Sequence, residues 1–279
     1  MVKLLLSDLD ETLLVDQNVP QASLDAINAA RKKGVKFVVA TGRGYQMIPH
    51  ILKQLGSYDC ENEYTICYNG GMIFENKNHR VLHFVDIAYN KVKALLEISN
   101  HYDVCVTIFT KYMCYILKPG QGEVERKTIQ NSPFEVVEGL DISFLEDEEI
   151  AKILFVHQDM NYLRQIHEEI KSEILKLDVC VSFSSNRYME FNAQGVDKGT
   201  GLKWLANHLG IDIEDTMAVG DNLNDFEMIK AARIGVSVQN AVAKLKEVSQ
   251  YITTKNHDDG AMVEVIHKFI LEEVSSENI

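Results

Sequence analysis

Apolar and polar positions change rhythm twice along the chain. Val2 to Ser7 is a short apolar run that breaks into a polar loop, which predicts a buried strand. Gln21 to Lys33 then places apolar or small residues at Ala22, Leu24, Ile27 and Ala30 and stops at Gly34, the spacing of a helix with a C-terminal glycine. Val35 to Ala40 is rich in β-branched and aromatic residues and reads as a second buried strand. A helix over Tyr45 to Leu55 and a third strand over Tyr64 to Tyr68 follow. Strand and helix in strict alternation are the pattern of a parallel sheet covered by helices.

After about residue 83 this rhythm gives way to another. A helix is expected over Ala88 to His101, and then two strands, Val104 to Phe109 and Met113 to Leu117, joined by a short Thr110-Lys111 turn as a hairpin. Ile153 to Val156, one long helix from Met160 to Lys176, and strands Val179 to Phe183 and Tyr188 to Asn192 continue a mostly antiparallel α+β pattern. From Lys198 the first rhythm resumes: helix Gly201 to Leu209, strand Thr216 to Val219, helix Leu223 to Ala231, strand Ile234 to Val238, a short helix from Ala241, and a last amphipathic helix, Ala261 to Leu271. Residues 1–83 and 191–279 thus read as one domain, 84–190 as a module inserted into it, and Ser275 to Ile279 as a frayed polar tail. There is no internal repeat.

Composition narrows the classes of function. A chain of 279 residues, 46% of them hydrophobic and 25% charged, is an ordinary globular protein large enough for two domains. Its net charge of −13 argues against nucleic acid as a partner, since backbone affinity is built from clustered Lys and Arg. The excess is uneven: residues 84–190 hold 11 basic and 18 acidic residues, whereas 1–83 balance at 9 and 9. Cys60, Cys67, Cys105, Cys114 and Cys180 form no CxxC pair, which points to reduced thiols rather than a disulfide framework or thiolate zinc site. Asp8, Asp10 and Glu11 interrupt the apolar start, and no run reaches the ~18 residues of a membrane span. A cytoplasmic protein with no membrane association and no obligate protein partner is the expectation.

Chemistry-bearing residues gather where strands end. Asp8 and Asp10 follow the first strand, the place where open α/β sheets bind ligands, and alternation in an extended chain would put both on one side. Such a pair suits a hard cation, or a division into nucleophile and general acid/base. Ala40-Thr41-Gly42-Arg43 ends the second strand with a hydroxyl and a glycine before a helix start, which suits an anionic oxygen or simple turn chemistry. Gly195-Val196-Asp197-Lys198-Gly199 offers either a point-charge phosphate clamp or a surface lysine at a helix start. Gly220-Asp221-Asn222-Leu223-Asn224-Asp225 supplies a second acidic cluster or an N-cap with first-turn acids. Each alone has a plain structural explanation; four together, in this order and always at a strand end, do not. His157, His167 and Trp204 read as ordinary structural residues, and the direction of Arg187 and Tyr188 is open.

In these four motifs the chain resembles the haloacid dehalogenase-like (HAD) superfamily, and most closely its Cof-type phosphatases. Asp8-Leu9-Asp10-Glu11-Thr12-Leu13-Leu14 is similar to their DLDGTLL, Ala40 to Arg43 to ATGR, Asn69-Gly70-Gly71 to NGA, Gly195 to Gly199 to GVxKG, and Gly220 to Asp225 to GDxxND. Gly235 to Ala241 resembles GVAMGNA, and Asp259-Gly260-Ala261 the late DGV, so the anchors span nearly the whole chain. Glu11 departs from the usual Gly, at a loss of backbone freedom after Asp10, and Gly71 departs from Ala.

The resemblance implies an α/β fold: a Rossmann-like core with a parallel sheet plus an inserted α+β cap domain of C2B type. It implies a Mg²⁺-dependent phosphatase of small phosphorylated metabolites, with Asp8 as nucleophile and Asp10 as general acid/base. Asp8, Asp10 and Asp221 would hold the metal, and Leu9, Thr41, Gly42, Lys198 and Asn224 the phosphate, with Thr12, Arg43 and Asp225 in support. Two other readings stand beside it: a phosphotransferase or phosphomutase of the same superfamily, and a non-hydrolytic sensory module carrying aspartyl-phosphate.

Overall fold

A computed structural model of the chain describes residues 1–129 and 132–272. The chain divides into two compact units: Met1–Gly42, Pro49–Leu82 and the chain from Asp197 onward form the first, Arg43–Ile48 and His83–Val196 the second.

The first unit begins with β1 (Leu4–Ser7), α1 (Gln21–Lys32), β2 (Lys36–Ala40), α2 (Pro49–Gln54) and β3 (Tyr64–Cys67). All four residues of β1 are buried, as are all but the first of β2, which is why both read as continuous apolar runs. The helix expected over Tyr45 to Leu55 is interrupted: a 3₁₀ turn at Tyr45–Met47 gives way to α2 only at Pro49, because the residue before a proline disfavours the α region and Ile48 sits at φ −122°. Two strands absent from the sequence reading follow, β4 (Met72–Glu75) and β5 (Arg80–Phe84). β4 runs antiparallel to β3 and carries the sheet past its parallel part.

The second unit comprises α3 (Tyr89–Ser99), β6 (Cys105–Thr110), β7 (Cys114–Leu117), α4 (Glu123–Ile129), β8 (Phe134–Val136), β9 (Ile150–Val156), α5 (Met160–Glu169), α6 (Lys171–Leu177), β10 (Val179–Ser184) and β11 (Tyr188–Ala193). Its six-stranded sheet, in the order β10-β11-β9-β6-β7-β8, is antiparallel except for the β7–β8 pair. One face of that sheet, with Val106, Ile108, Ile153, Phe155, Met189 and Phe191, packs on apolar residues of the helices. The long helix expected over Met160 to Lys176 breaks at Ile170, and Ile166, Ile170 and Ile174 all join this core. β11 pairs with β10 along its whole length and with β9 over Tyr188 to Asn192, so the unit extends to Val196 rather than stopping at residue 190.

Back in the first unit lie α7 (Lys198–His208), β12 (Thr216–Gly220), α8 (Phe226–Ala231), β13 (Ile234–Ser237), α9 (Ala243–Lys246), β14 (Tyr251–Ile252) and α10 (Ala261–Ile266). The strand order of the eight-stranded sheet is β14-β13-β12-β1-β2-β3-β4-β5. β1 lies between β12 and β2, parallel to both, and the direction of winding reverses there. Such a switch point opens a crevice at the carboxyl ends of the strands.

The five cysteines are free; Cys67, Cys105 and Cys114 are buried, Cys60 and Cys180 partly so. Burial pushes the thiols of Cys105 and Cys114 up to about 12, so neither is a reactive thiolate. Among the described residues no helix is long and apolar enough to cross a membrane. The expected polar tail, Ser275 to Ile279, lies outside the described residues.

Candidate active site

The crevice is built from the turns that follow β1, β2 and β12 and from the start of α7. Asp8 comes directly after β1; its N–H donates to the Val219 carbonyl at 3.0 Å, and its side chain is buried. The chain then turns, because the Leu9 carbonyl accepts from the N–H groups of Leu13 and Leu14 at 3.0 and 2.9 Å. The alternation expected of an extended chain therefore stops before Asp10, which is exposed where Asp8 is buried. Glu11 sits in the left-handed region at φ 57°, where the family motif has glycine. Its carbonyl accepts from Asn240 Nδ2 at 2.8 Å, which ties the turn to the loop after β13.

Lys198 reaches the crevice because Asp197 caps α7. The Asp197 carboxylate accepts from the Thr200 N–H at 2.7 Å and Thr200 Oγ1 accepts from the Asp197 N–H at 3.2 Å, a reciprocal capping box. The lysine is fully buried, and its Nζ donates to Asp8 Oδ1 at 2.5 Å and Asp225 Oδ1 at 2.6 Å. The other Asp225 oxygen accepts from the N–H groups of Asp221 and Asn222 at 3.0 and 3.1 Å. Both oxygens of Asp225 are thus engaged within the protein. A Cβ at Gly220 would fall 2.5 Å from Asp225 Cβ, so glycine is what lets this carboxylate fold back over its own turn. Thr12 Oγ1 donates to Asp221 Oδ1 at 3.1 Å.

Carboxylate oxygens of Asp8, Asp221 and Asp225 lie within 4.8 Å of one another, and all three residues are buried. Asp10 is not in this trio, although its charge is near enough to raise the Asp8 pKa. Burial pushes the Asp8 carboxyl up to about 7; the Lys198 ammonium pulls it down, and Asp225 and Asp10 push it up further. Asp221 is pushed up to about 9, again by burial first and then by repulsion from Asp8 and Asp225. Burial alone would lower the Lys198 pKa, but Asp225 and Asp8 outweigh it and hold the ammonium charged. One buried cation facing three acids leaves a deficit of positive charge. The centre is therefore compatible with a divalent cation, for which the Asp8 and Asp221 carboxylates offer hard oxygen donors.

The second wall carries the neutral groups. The Thr41 N–H donates to the Ile66 carbonyl at 2.9 Å, and the Thr41 carbonyl accepts from the Asn69 N–H at 3.0 Å. Asn224 Nδ2 donates to Asn69 Oδ1 at 3.3 Å. Gly70, at φ 101°, lets this turn press on the start of α7: a Cβ there would lie 2.1 Å from the Asp197 carbonyl oxygen. The crevice thus gathers Asp8, Thr41, Gly42, Lys198, Asp221, Asn224 and Asp225 from the sequence-predicted residues, with Leu9, Asp10 and Thr12 in the β1 turn. Arg43 belongs to the second unit and is half-buried.

Asn69 and Asn240 hold the crevice together and were not singled out from sequence. Both stand in motifs that carried the resemblance, but a neutral amide gives no charge pattern to mark it. Of the residues left aside, His157 packs against Tyr162 at 4.7 Å between ring centres, His167 against Phe183 at 5.6 Å, and Trp204 stacks on His208 at 5.0 Å. Arg187 Nη2 donates to the Gln121 carbonyl, and the Tyr188 hydroxyl donates to Glu123, so both are engaged inside the second unit.

The chain is similar to known proteins over nearly its whole length. The chain is 28% identical over 278 residues to YxeH of Bacillus subtilis, which covers 97% of this chain and 99% of that one. It is 27% identical over 267 residues to the 5-amino-6-(5-phospho-D-ribitylamino)uracil phosphatase YcsE of the same organism, covering 95% of each. The solved structure of a haloacid dehalogenase-like hydrolase from B. subtilis shares the fold, with a TM-score of 0.85 at 24% identity over 96% of this chain and all of that one. The family model for haloacid dehalogenase-like hydrolases matches residues 5–266, and the chain belongs to that family.

Proposed function

We propose that the protein is a Mg²⁺-dependent phosphatase that hydrolyses small organic phosphate monoesters, such as sugar phosphates or phosphorylated cofactors, through an aspartyl-phosphate on Asp8. The observation that carries this reading is the buried ion cluster: a nucleophile-type carboxylate, Asp8, 2.5 Å from a fully buried ammonium, Lys198, at the switch point of the sheet. The relative whose name records action on a phosphorylated ribitylaminouracil supports a phosphorylated small metabolite as substrate.

In the first half-reaction an Asp8 oxygen attacks phosphorus, the Asp8 Oδ–P bond forms, and the ester P–O bond breaks as Asp10 gives its proton to the departing alkoxide. In the second half, Asp10 takes a proton from a water that attacks the same phosphorus, and Asp8 leaves with its original oxygens. An exposed Asp10 can exchange protons with solvent between turnovers. Two of the three ammonium N–H groups of Lys198 serve Asp8 and Asp225; the third goes to a phosphoryl oxygen. Thr41, the Gly42 and Leu9 N–H groups and Asn224 hold the remaining oxygens, so that charge developing on phosphorus meets fixed donors. Mg²⁺ held by Asp8, Asp10 and Asp221 would neutralise charge between nucleophile and substrate. Asp225, with both oxygens engaged, orients Lys198 and the Asp221 backbone from behind.

The test is phosphate release from a panel of phosphorylated metabolites and a generic aryl phosphate, with Mg²⁺ and with excess chelator. Turnover that chelator abolishes and Mg²⁺ restores is expected. Equal turnover without divalent metal, or transfer to a sugar acceptor in place of free phosphate, would overturn it.

A further inference from the structure

We infer that the side-chain amide of Asn69 is a phosphoryl-oxygen donor of this site. The assignment rests on the phosphatase reading and adds to it a residue that the charge pattern of the motifs does not mark.

Asn69 lies in the left-handed turn after β3, at φ 54°, and only 4% of its surface is exposed. It touches the phosphate-binding groups on three sides. Its N–H donates to the Thr41 carbonyl at 3.0 Å, its Oδ1 accepts from Asn224 Nδ2 at 3.3 Å, and a Cβ built on Gly42 would lie 3.0 Å from that same oxygen. Its Nδ2, by contrast, is buried and meets no acceptor among the described residues.

A buried amide N–H₂ without an acceptor is costly and therefore uncommon in native structures. Exchanging the oxygen and nitrogen of Asn69 does not remove the cost. It would set two amide donors, Asn69 Nδ2 and Asn224 Nδ2, against each other and bury an oxygen in place of the nitrogen. The hydrogen bond from Asn224 thus fixes Oδ1, and Nδ2 lies beside the Gly42 backbone, 3.4 Å from where a Cβ on that residue would be. An acceptor shared by Thr41, Gly42 and Asn224 is, on the reading above, a phosphoryl oxygen, and Asn69 Nδ2 completes that ring of neutral donors. Like them it needs no proton transfer, so its effect falls on binding of the phosphoryl group in both half-reactions.

The experiment compares Asn69→Asp and Asn69→Ala with the wild-type holoenzyme in Mg²⁺. It measures kcat/KM for an aryl phosphate, competitive inhibition by inorganic phosphate, and the melting temperature. Asn69→Asp is the sharper probe, because it keeps the shape and the oxygen that accepts from Asn224 while replacing the donor with an acceptor. The expected result is a fall in kcat/KM of about 100-fold for the aspartate variant, as when one such donor is lost, and of about 10-fold for alanine, where a water can take the donor's place. Phosphate inhibition should weaken in parallel. If Asn69 served only to hold Asn224 and the turn, the aspartate variant would bind phosphate as the wild type does. Inhibition by phosphate within twofold of wild type in both variants, in an active wild-type enzyme, overturns the Asn69 assignment alone. A wild-type protein that neither hydrolyses the ester nor binds phosphate overturns the phosphatase reading and this inference with it.

Discussion

Glu11 shows how one residue is constrained by its neighbours. It occupies φ 57°, a conformation that costs a non-glycine residue about 1–2 kcal/mol. The Asn240 side chain, 2.8 Å from its carbonyl, helps hold it there, and the His257 N–H in turn donates to Asn240 at 2.9 Å. Glu11→Gly should therefore relieve strain. The expected outcome is a stability equal to wild type or higher by up to about 1 kcal/mol, since glycine gives back part of the gain as unfolded-chain entropy. Urea unfolding checks it, and a clear loss of stability would show that the glutamate side chain contributes more than its backbone costs. The gathering of acids is legible in the sequence at this scale, because acids at strand ends stand out. What could not be read was how burial divides them: Asp8 and Asp10 are two residues apart, yet one is buried beside an ammonium and the other exposed.

At the scale of elements, legibility followed burial on both faces. β1, β2, β12 and β13 read as strands because nearly every residue is buried, and such runs admit little else between turn residues. β4 is buried too, but it follows β3 after a tight turn and merges with it as pattern. α4 is short and charged, and its buried face is polar: Glu123 and Lys127 are almost wholly enclosed and paired at 3.1 Å. No hydrophobic period could reveal it.

That polar face belongs to a network on the second unit's sheet. The Tyr188 hydroxyl donates to Glu123, Arg126 Nε donates to Tyr188 at 2.9 Å, and Lys127 lies over the rings of Phe109 and Tyr188. Lys152, on β9 opposite Asn192 and Phe109, pairs with buried Glu190. Removing one member of a buried pair leaves its partner uncompensated. Glu123→Ala should thus destabilise the protein by about 3–5 kcal/mol, far more than a surface carboxylate would. Denaturant unfolding measures it, and a loss under 1 kcal/mol would mean that α4 contributes little to the unit.

For the whole molecule, the net charge of −13 matters less than where negative charge is buried. In the metal-free folded protein Asp8 holds its proton up to about 7 and Asp221 up to about 9, while the unfolded chain releases both near 3.8. The folded state then binds more protons than the unfolded state across that window, so stability falls as pH rises through it. On the proposed reading Mg²⁺ would bind the ionised carboxylates and reverse the trend. Thermal melting should show a metal-free protein that loses stability between about pH 5 and pH 8, and a stabilisation by Mg²⁺ that grows over the same range. A Mg²⁺ effect equal at both ends would place the metal elsewhere.

The central claim is that Asp8 is the group that receives the phosphoryl group, and Asp8→Asn tests it most directly. The amide keeps the shape and the contact with Lys198 but is no nucleophile. The measurement is steady-state phosphate release from an aryl phosphate in saturating Mg²⁺, for wild type and variant with matched melting temperatures. The account predicts a fall in kcat of at least about 1,000-fold, as expected when a covalent nucleophile is removed. An Asp8→Asn enzyme that retains a tenth or more of wild-type turnover would contradict it.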